Sequence, residues 1–119
     1  MLKLGKEKES INVVADQYGS PTYTIDLANI IHEVLEKKIP YGVYHATNEG
    51  FTTWYEFSKE IFRKANISCK INPVTSEEFK AIAKRPQNSM LSKEKIVKEG
   101  INIPEWQDGL ERYLKSNVE

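Results

Sequence analysis

Three apolar residues run in unbroken succession at Val13-Val14-Ala15, and a glycine–proline loop and an amphipathic segment follow them. An apolar run without alternation suits a strand covered on both faces, so Ile11–Asp16 is predicted as a strand. Gln17–Pro21 is a loop, in which Gly19 relaxes the backbone and Pro21 keeps Ser20 out of the helical region. A helix is predicted from Ile25 to Lys37, with Thr22 or Thr24 as its cap and Asp26 in its first turn. Its apolar stripe is Leu27, Ile30, Ile31, Val34 and Leu35. Strand, short loop and helix in that order begin an α/β pattern.

The rest of the chain continues it. Met1–Glu9 reads as the tail of a helix. Gly42–Thr47 reads as a second strand, and Asn48-Glu49-Gly50 as a turn. Thr53-Trp54-Tyr55-Glu56 is a capping box that opens a helix running to Asn66, with Trp54, Phe57, Ser58, Ile61, Phe62 and Ala65 on one face. Lys70–Val74 is a third strand, placed at an edge by Pro73. A second capping box, Thr75-Ser76-Glu77-Glu78, opens a short helix that Arg85-Pro86 stops; Gln87–Ser92 is a polar loop. Lys93–Glu99 is a short helix closed by Gly100, and Pro104 suits the first turn of a last helix carrying Trp106, Leu110, Tyr113 and Leu114. The expected fold is α/β, a small three-stranded partial sheet with flanking helices, in one lobe spanning residues 1–119.

Charge narrows the partners. Seventeen basic and seventeen acidic side chains cancel, and no basic face is concentrated enough for a nucleic acid. No apolar stretch approaches the roughly 20 residues that cross a bilayer, and no leader pattern is visible, so no membrane partner is expected. The single cysteine, Cys69, cannot form an intrachain disulfide, which fits a reducing, cytoplasmic setting. Cys69 reads as a small buried hydrophobe.

The six glycines build no G-x-G-x-x-G loop, so the cradle for a dinucleotide pyrophosphate is missing. Two histidines and one cysteine give no metal-ligand spacing, and no metal is expected. Tyr55 and Lys59 match a Tyr-x-x-x-Lys pattern, in which the lysine lowers the tyrosine pKa. Here the pair directly follows a capping box with no preceding dinucleotide fold, and it reads as a helix-surface pair at i,i+4. No catalytic residue is assigned.

Two loops offer binding chemistry. Asp16–Thr22 lies at the C-terminal end of a strand, where open α/β sheets bind ligands, and Gln17, Ser20 and Thr22 supply neutral hydrogen bonds. A turn plus a helix cap would explain the same residues. Lys84–Ser89 offers the planar cation of Arg85, stiffened by Pro86, with Asn88 and Ser89 beside it. A solvated loop whose arginine pairs with a surface carboxylate is the plainer account. Trp54 and Trp106 read as core residues; Tyr18, in a loop, is less easily assigned to packing.

Four runs, VVADQYGSPTYTIDLA (Val13–Ala28), GVYHATNEGFTTWYEFSKEIF (Gly42–Phe62), AKRPQNSMLSKEKI (Ala83–Ile96) and PEWQDGLERYL (Pro104–Leu114), resemble the dTDP-4-dehydrorhamnose reductases, extended short-chain dehydrogenases. The resemblance implies the C-terminal, substrate-side lobe of that fold. Family members reduce the C4 keto group of a dTDP-6-deoxy-4-keto-hexose with NADPH, giving dTDP-L-rhamnose. Their glycine-rich loop and catalytic Thr/Ser, Tyr and Lys lie in an N-terminal lobe, so this chain alone is expected to bind no cofactor and to be inactive. By the same resemblance, Gln17, Ser20, Arg85 and Asn88 are the substrate-binding residues. Related nucleotide-sugar epimerases set an arginine near the Arg85 position against the diphosphate; their second arginine falls where this chain has Gly19 and Ser20. The expected partners are a dTDP-sugar and the missing N-terminal half or a second copy. The alternative is a non-catalytic nucleotide-sugar-binding or assembly module.

Overall fold

The computed structural model describes residues 1–117. Its elements are α1 (Leu2–Glu7), β1 (Ser10–Val14), β2 (Tyr18–Gly19), α2 (Thr24–Glu36), β3 (Thr52–Thr53), α3 (Trp54–Lys64), β4 (Lys70–Val74), α4 (Ser76–Phe79), α5 (Glu94–Lys98) and α6 (Trp106–Asn117). The shortest dimension is 19 Å, the depth of about two layers of secondary structure. No described helix is long and apolar enough to cross a membrane.

The α/β class and the small partial sheet with flanking helices match the sequence reading, while the strands differ in detail. β1 and β4 pair in parallel, Ser10 opposite Lys70 and Val14 opposite Val74. β2 and β3 form a separate short antiparallel pair. Gly42–Thr47 joins neither. Tyr44 and Ala46 turn inward and Val43 outward, as in a strand, but no described strand lies alongside. Side chains hold its backbone instead, as where Lys95 Nζ donates to Val43 O at 2.9 Å. β1 is also not covered on both faces along its length, since Ser10 and Asn12 are exposed and only Val14 is buried.

Ladder geometry places Pro73 harmlessly. Lys70 N donates to Glu9 O and Ala15 N donates to Val74 O, so Lys70, Asn72 and Val74 face β1. Ile71 and Pro73 then turn their backbone nitrogens to the outer edge, where a missing N–H costs no ladder bond.

Two apolar clusters fill the interior. Ile61 and Phe62 of α3 meet Trp106, Leu110 and Leu114 of α6; Ile30 of α2 meets Ile96, Ile101 and Ile103. The stripe on α2 is wider than its cover: Ile30 is buried, while Ile31 and Leu35 are exposed. On the other side of the first cluster, Glu111 of α6 accepts from Lys115 at 2.7 Å and from Lys64 of α3 at 3.0 Å, which pushes its carboxyl down to about 2.

A buried polar junction locks α2 to α6. Asn48 is fully buried. Its Nδ2 donates to Asp26 Oδ2 at 2.7 Å and to Pro104 O at 3.0 Å, and its Oδ1 accepts from the N–H of Tyr23 at 2.7 Å. Neither Thr22 nor Thr24 caps α2; Asn48 takes that place from a distant turn. Asp26 lies in the first turn of α2, as the sequence places it, but is 3 % exposed and paired with Arg112 at 2.7 Å. Pro104 precedes α6 rather than lying in its first turn, which frees its carbonyl for this junction. Gly109 permits the close packing, because a Cβ there would stand 3.0 Å from Tyr23 Cβ and 3.2 Å from Asp26 Oδ2.

A second clasp ties the ends of the parallel pair. Asp16, after β1, accepts from the Ser76 hydroxyl at 2.6 Å and from the Ser76 N–H at 3.0 Å, at the start of α4. The Ser76 hydroxyl first, and its N–H second, hold the Asp16 carboxyl below its ordinary 3.8. The Thr75 capping box of α4 is complete. That of α3 is half-made: Thr53 Oγ1 accepts from Glu56 N, but the Glu56 carboxylate turns to Lys59.

Asn48→Ala leaves the Asp26 carboxylate short of a donor and the Tyr23 N–H unpaired, and should cost ~2–4 kcal/mol in urea unfolding. Gly109→Ala should cost ~1–3 kcal/mol by overpacking. Because the Asp16 and Glu111 carboxyls are depressed on folding, their contributions are complete above the ordinary carboxylate values. Each is lost as pH falls through the folded value, near 2 for Glu111. Urea midpoints of Asp16→Asn and Glu111→Gln should lie below wild type at neutral pH and converge with it toward about pH 2; a constant gap would show that neither carboxylate titrates with folding.

Candidate functional site

Beyond the C-terminal end of β1 the chain opens into a cleft of about 310 Å³. Gln17, Ser20 and Arg85 all line it, although the two loops that carry them are far apart in sequence. Tyr18 brings the loops together. Its N–H donates to Gln87 O at 2.7 Å, and its carbonyl accepts from the N–H of Ser89 at 2.9 Å and the Ser89 hydroxyl at 3.0 Å. On its other side Tyr18 pairs with Thr53, so this one residue bridges the arginine loop and β3.

Each candidate residue has a distinct setting. Gln17 Nε2 donates to Ser76 Oγ at 2.9 Å. Ser20 Oγ donates to Gly50 O at 2.7 Å, which fixes the loop against the turn that follows Asn48. Gly50 has φ +77, a left-handed conformation that favours glycine at this turn. Arg85 is exposed and makes no hydrogen bond or ion pair among the described residues, which leaves its guanidinium open to an anion. Asn88 stands beside the cleft rather than on its wall, and its Oδ1 accepts from Met90 N at 2.9 Å to shape the loop.

The aromatic wall departs from the sequence reading. Trp54 is 51 % exposed and lines the cleft. It opens α3, where the helical stripe runs past the end of the core, so the stripe that buries Ile61 leaves Trp54 in the open. Its ring meets Phe57 edge-on with centroids 6.4 Å apart, and Phe57 meets buried Trp106 at 5.6 Å. Across the opening, Tyr18 packs edge-on against Phe51 at 6.3 Å. Thr52 and Thr53 complete the wall between them; sequence assigns Thr53 a capping role but neither residue to the site. The available sequence signal was the aromatic pair Phe51 and Trp54 flanking the cap at Thr53.

Tyr55 and Lys59 do not reach the cleft. Lys59 pairs with Glu56 at 3.1 Å and lies 5.1 Å over the Tyr55 ring, a local helix-surface arrangement. The turn from β1 to α2 is not a glycine-rich phosphate cradle. The turn from β1 to α2 holds one glycine, and the N–H of Tyr23 at the mouth of α2 is already given to Asn48. No three metal-ligating side chains cluster among the described residues. The cleft can therefore hold an anion beside a planar or apolar group, with neutral hydrogen bonds at its inner end.

Comparison with known proteins places this arrangement. Residues 1–118 match the family described as RmlD substrate binding domain. The spore coat polysaccharide biosynthesis protein SpsK of Bacillus subtilis is 40% identical over 115 residues, covering 97% of this chain and 40% of that protein. The dTDP-4-dehydrorhamnose reductase of Escherichia coli K12 is 38% identical over 125 residues, covering 96% of this chain and 42% of the enzyme. A crystal structure of the Bacillus anthracis dTDP-4-dehydrorhamnose reductase in complex with NADP superposes with a TM-score of 0.92 at 43% identity, over 98% of this chain and 41% of that one. The Clostridium acetobutylicum ortholog gives 0.90 at 39% identity, over 97% of this chain and 41% of that one. The chain thus spans about 40% of the length of the relatives it matches. By the match along nearly its whole length and the shared fold, the chain belongs to the RmlD substrate binding domain family.

Proposed function

We propose that this chain forms the nucleotide-sugar side of a dTDP-4-dehydrorhamnose reductase. The observation that carries the reading is the convergence of Gln17, Ser20 and Arg85 on one cleft at the end of β1. Arg85 binds the diphosphate by charge-assisted hydrogen bonds. Gln17, Ser20 and the Asn88 loop serve the neutral, hydroxyl-rich part of the ligand. Trp54 and Tyr18 supply apolar surface for a ring. The reaction is reduction of the C4 keto group of dTDP-4-dehydro-L-rhamnose to dTDP-L-rhamnose. NADPH supplies the hydride in the family reaction, and the lobe that holds it is a separate N-terminal one. The residues here bind and orient the sugar nucleotide, and none of them is assigned a step in hydride transfer.

A second reading, a binding module without catalysis, is favoured by one observation. The cleft keeps its hydrogen-bonding groups, while the Tyr55–Lys59 pair lies off it. The two readings differ in what happens when an N-terminal lobe of the family is supplied: the first restores reduction and the second does not.

Calorimetry with dTDP-L-rhamnose tests the cleft. Arg85→Ala should weaken binding by roughly 10- to 100-fold, the worth of a charge-assisted contact, and Arg85→Lys should recover only part of it. Unchanged affinity in Arg85→Ala would remove the diphosphate assignment. The chain alone, given NADPH and the 4-keto sugar nucleotide, should show no loss of NADPH absorbance; turnover would overturn the division of labour between lobes.

A further inference from the structure

Arg85 is the only cation among the described residues that line the cleft, and its own stretch of chain does little to hold it. Residues 81–86 are exposed and make no hydrogen bond among the described residues. Upstream, the nearest fixed point is α4, which ends at Phe79. Downstream, a fixed point lies at Gln87, with Pro86 alone between. Proline fixes its own φ and keeps the residue before it extended, so the course of the chain at Arg85 follows from where Gln87 is held. Tyr18 holds it. The Tyr18 N–H donates to Gln87 O at 2.7 Å, and Tyr18 O accepts from Ser89 N at 2.9 Å and from the Ser89 hydroxyl at 3.0 Å. Tyr18 is a firm anchor, because it also pairs with the buried Thr53 at the start of α3. Two of the three bonds are backbone to backbone, and most sequences could make them. The third depends on the side chain of Ser89. A Cβ on Gly19 would stand 2.9 Å from that same hydroxyl oxygen, so a side chain there would make the hydroxyl shift.

We propose that Ser89 is a positioning residue for Arg85: its hydroxyl, seated on the Tyr18 carbonyl in the space beside Gly19, fixes the arginine loop before the diphosphate arrives. This deepens the nucleotide-sugar reading of the same cleft and rests on it. An arginine on a free loop loses conformational freedom when it binds an anion. One whose backbone is already held loses less, and its affinity is higher by that difference. Ser89 then acts through Arg85, so the two residues are not independent. With the guanidinium removed, the hydroxyl has nothing left to position, and its loss costs no further affinity.

Nitrogen-15 relaxation of the full chain tests the clamp without any ligand. Ser89→Ala should lower the order parameters of the Lys84, Arg85 and Gln87 amides and leave those of α3 and α6 in place, the latter reporting that the fold is kept. Gly19→Ala, which displaces the hydroxyl instead of removing it, should lower the same three. Calorimetry with dTDP-L-rhamnose and pyrophosphate then tests the consequence. Ser89→Ala should weaken both by roughly 3- to 10-fold, the worth of one neutral hydrogen bond spent on ordering the loop. Added to Arg85→Ala, it should weaken dTDP-L-rhamnose no further. Equal losses with and without the arginine would show that Ser89 acts otherwise than through Arg85 and overturn the proposal. Amides unmoved by Ser89→Ala would overturn it as well. Wild type that binds while Ser89→Ala binds equally well sinks this proposal alone; wild type that binds neither ligand sinks the cleft reading and this proposal with it.

Discussion

The structure depends on one carboxylate taken out of water. Asp26 lies under α6, where its charge is tolerable only because Arg112 and Asn48 both reach it. Each partner then has further duties. Arg112 spans to Asp108 on its own helix and lies 5.3 Å over the Tyr23 ring. Asn48 caps the start of α2 and takes the carbonyl of Pro104. Two helices and the turn between Thr47 and Gly50 are fixed by this one junction. A wholly apolar substitute could bury as much surface, but it would not dictate the angle at which the turn leaves.

That angle matters to the cleft. Gly50 directly follows the junction's turn, and its carbonyl receives the Ser20 hydroxyl. Ser20 belongs to the loop whose other residues, Gln17 and Tyr18, anchor to Ser76 and to the arginine loop. Position is thus passed from the buried Asp26 carboxylate, through a glycine turn, to the cleft wall. Outside the covalent turn from Asn48 to Gly50, the links are short hydrogen bonds between named groups, as in the 2.7 Å contact from Ser20 to Gly50.

Much of this was readable from sequence, and the failures share a cause. The helices α2, α3 and α6 and the strand β4 fall close to where periodicity, capping residues and proline place them. Of the residues named from loop chemistry and family resemblance, Gln17, Ser20 and Arg85 line one cleft, while Asn88 stands beside it. What sequence could not give was partnership. Gly42–Thr47 alternates like a strand yet has no described neighbour to pair with. Trp54 lies on an apolar stripe that outruns the core. Asp26 has the signature of an ordinary first-turn acid, and only the arrival of Arg112, 86 residues on, makes it a buried one. Local pattern reports what a segment can do, whereas burial is decided by what lies across from it.

The placement of Pro73 gives the parallel pair a direction of growth. On the outer side of β4 the row of donors is broken at that proline, so the sheet is terminated there. On the outer side of β1 the backbone groups of Ser10, Asn12 and Val14 face away from β4 with no proline among them. The sheet therefore has one closed end and one open end. A strand that lengthens it in a larger assembly gains a full set of backbone bonds beside β1 alone.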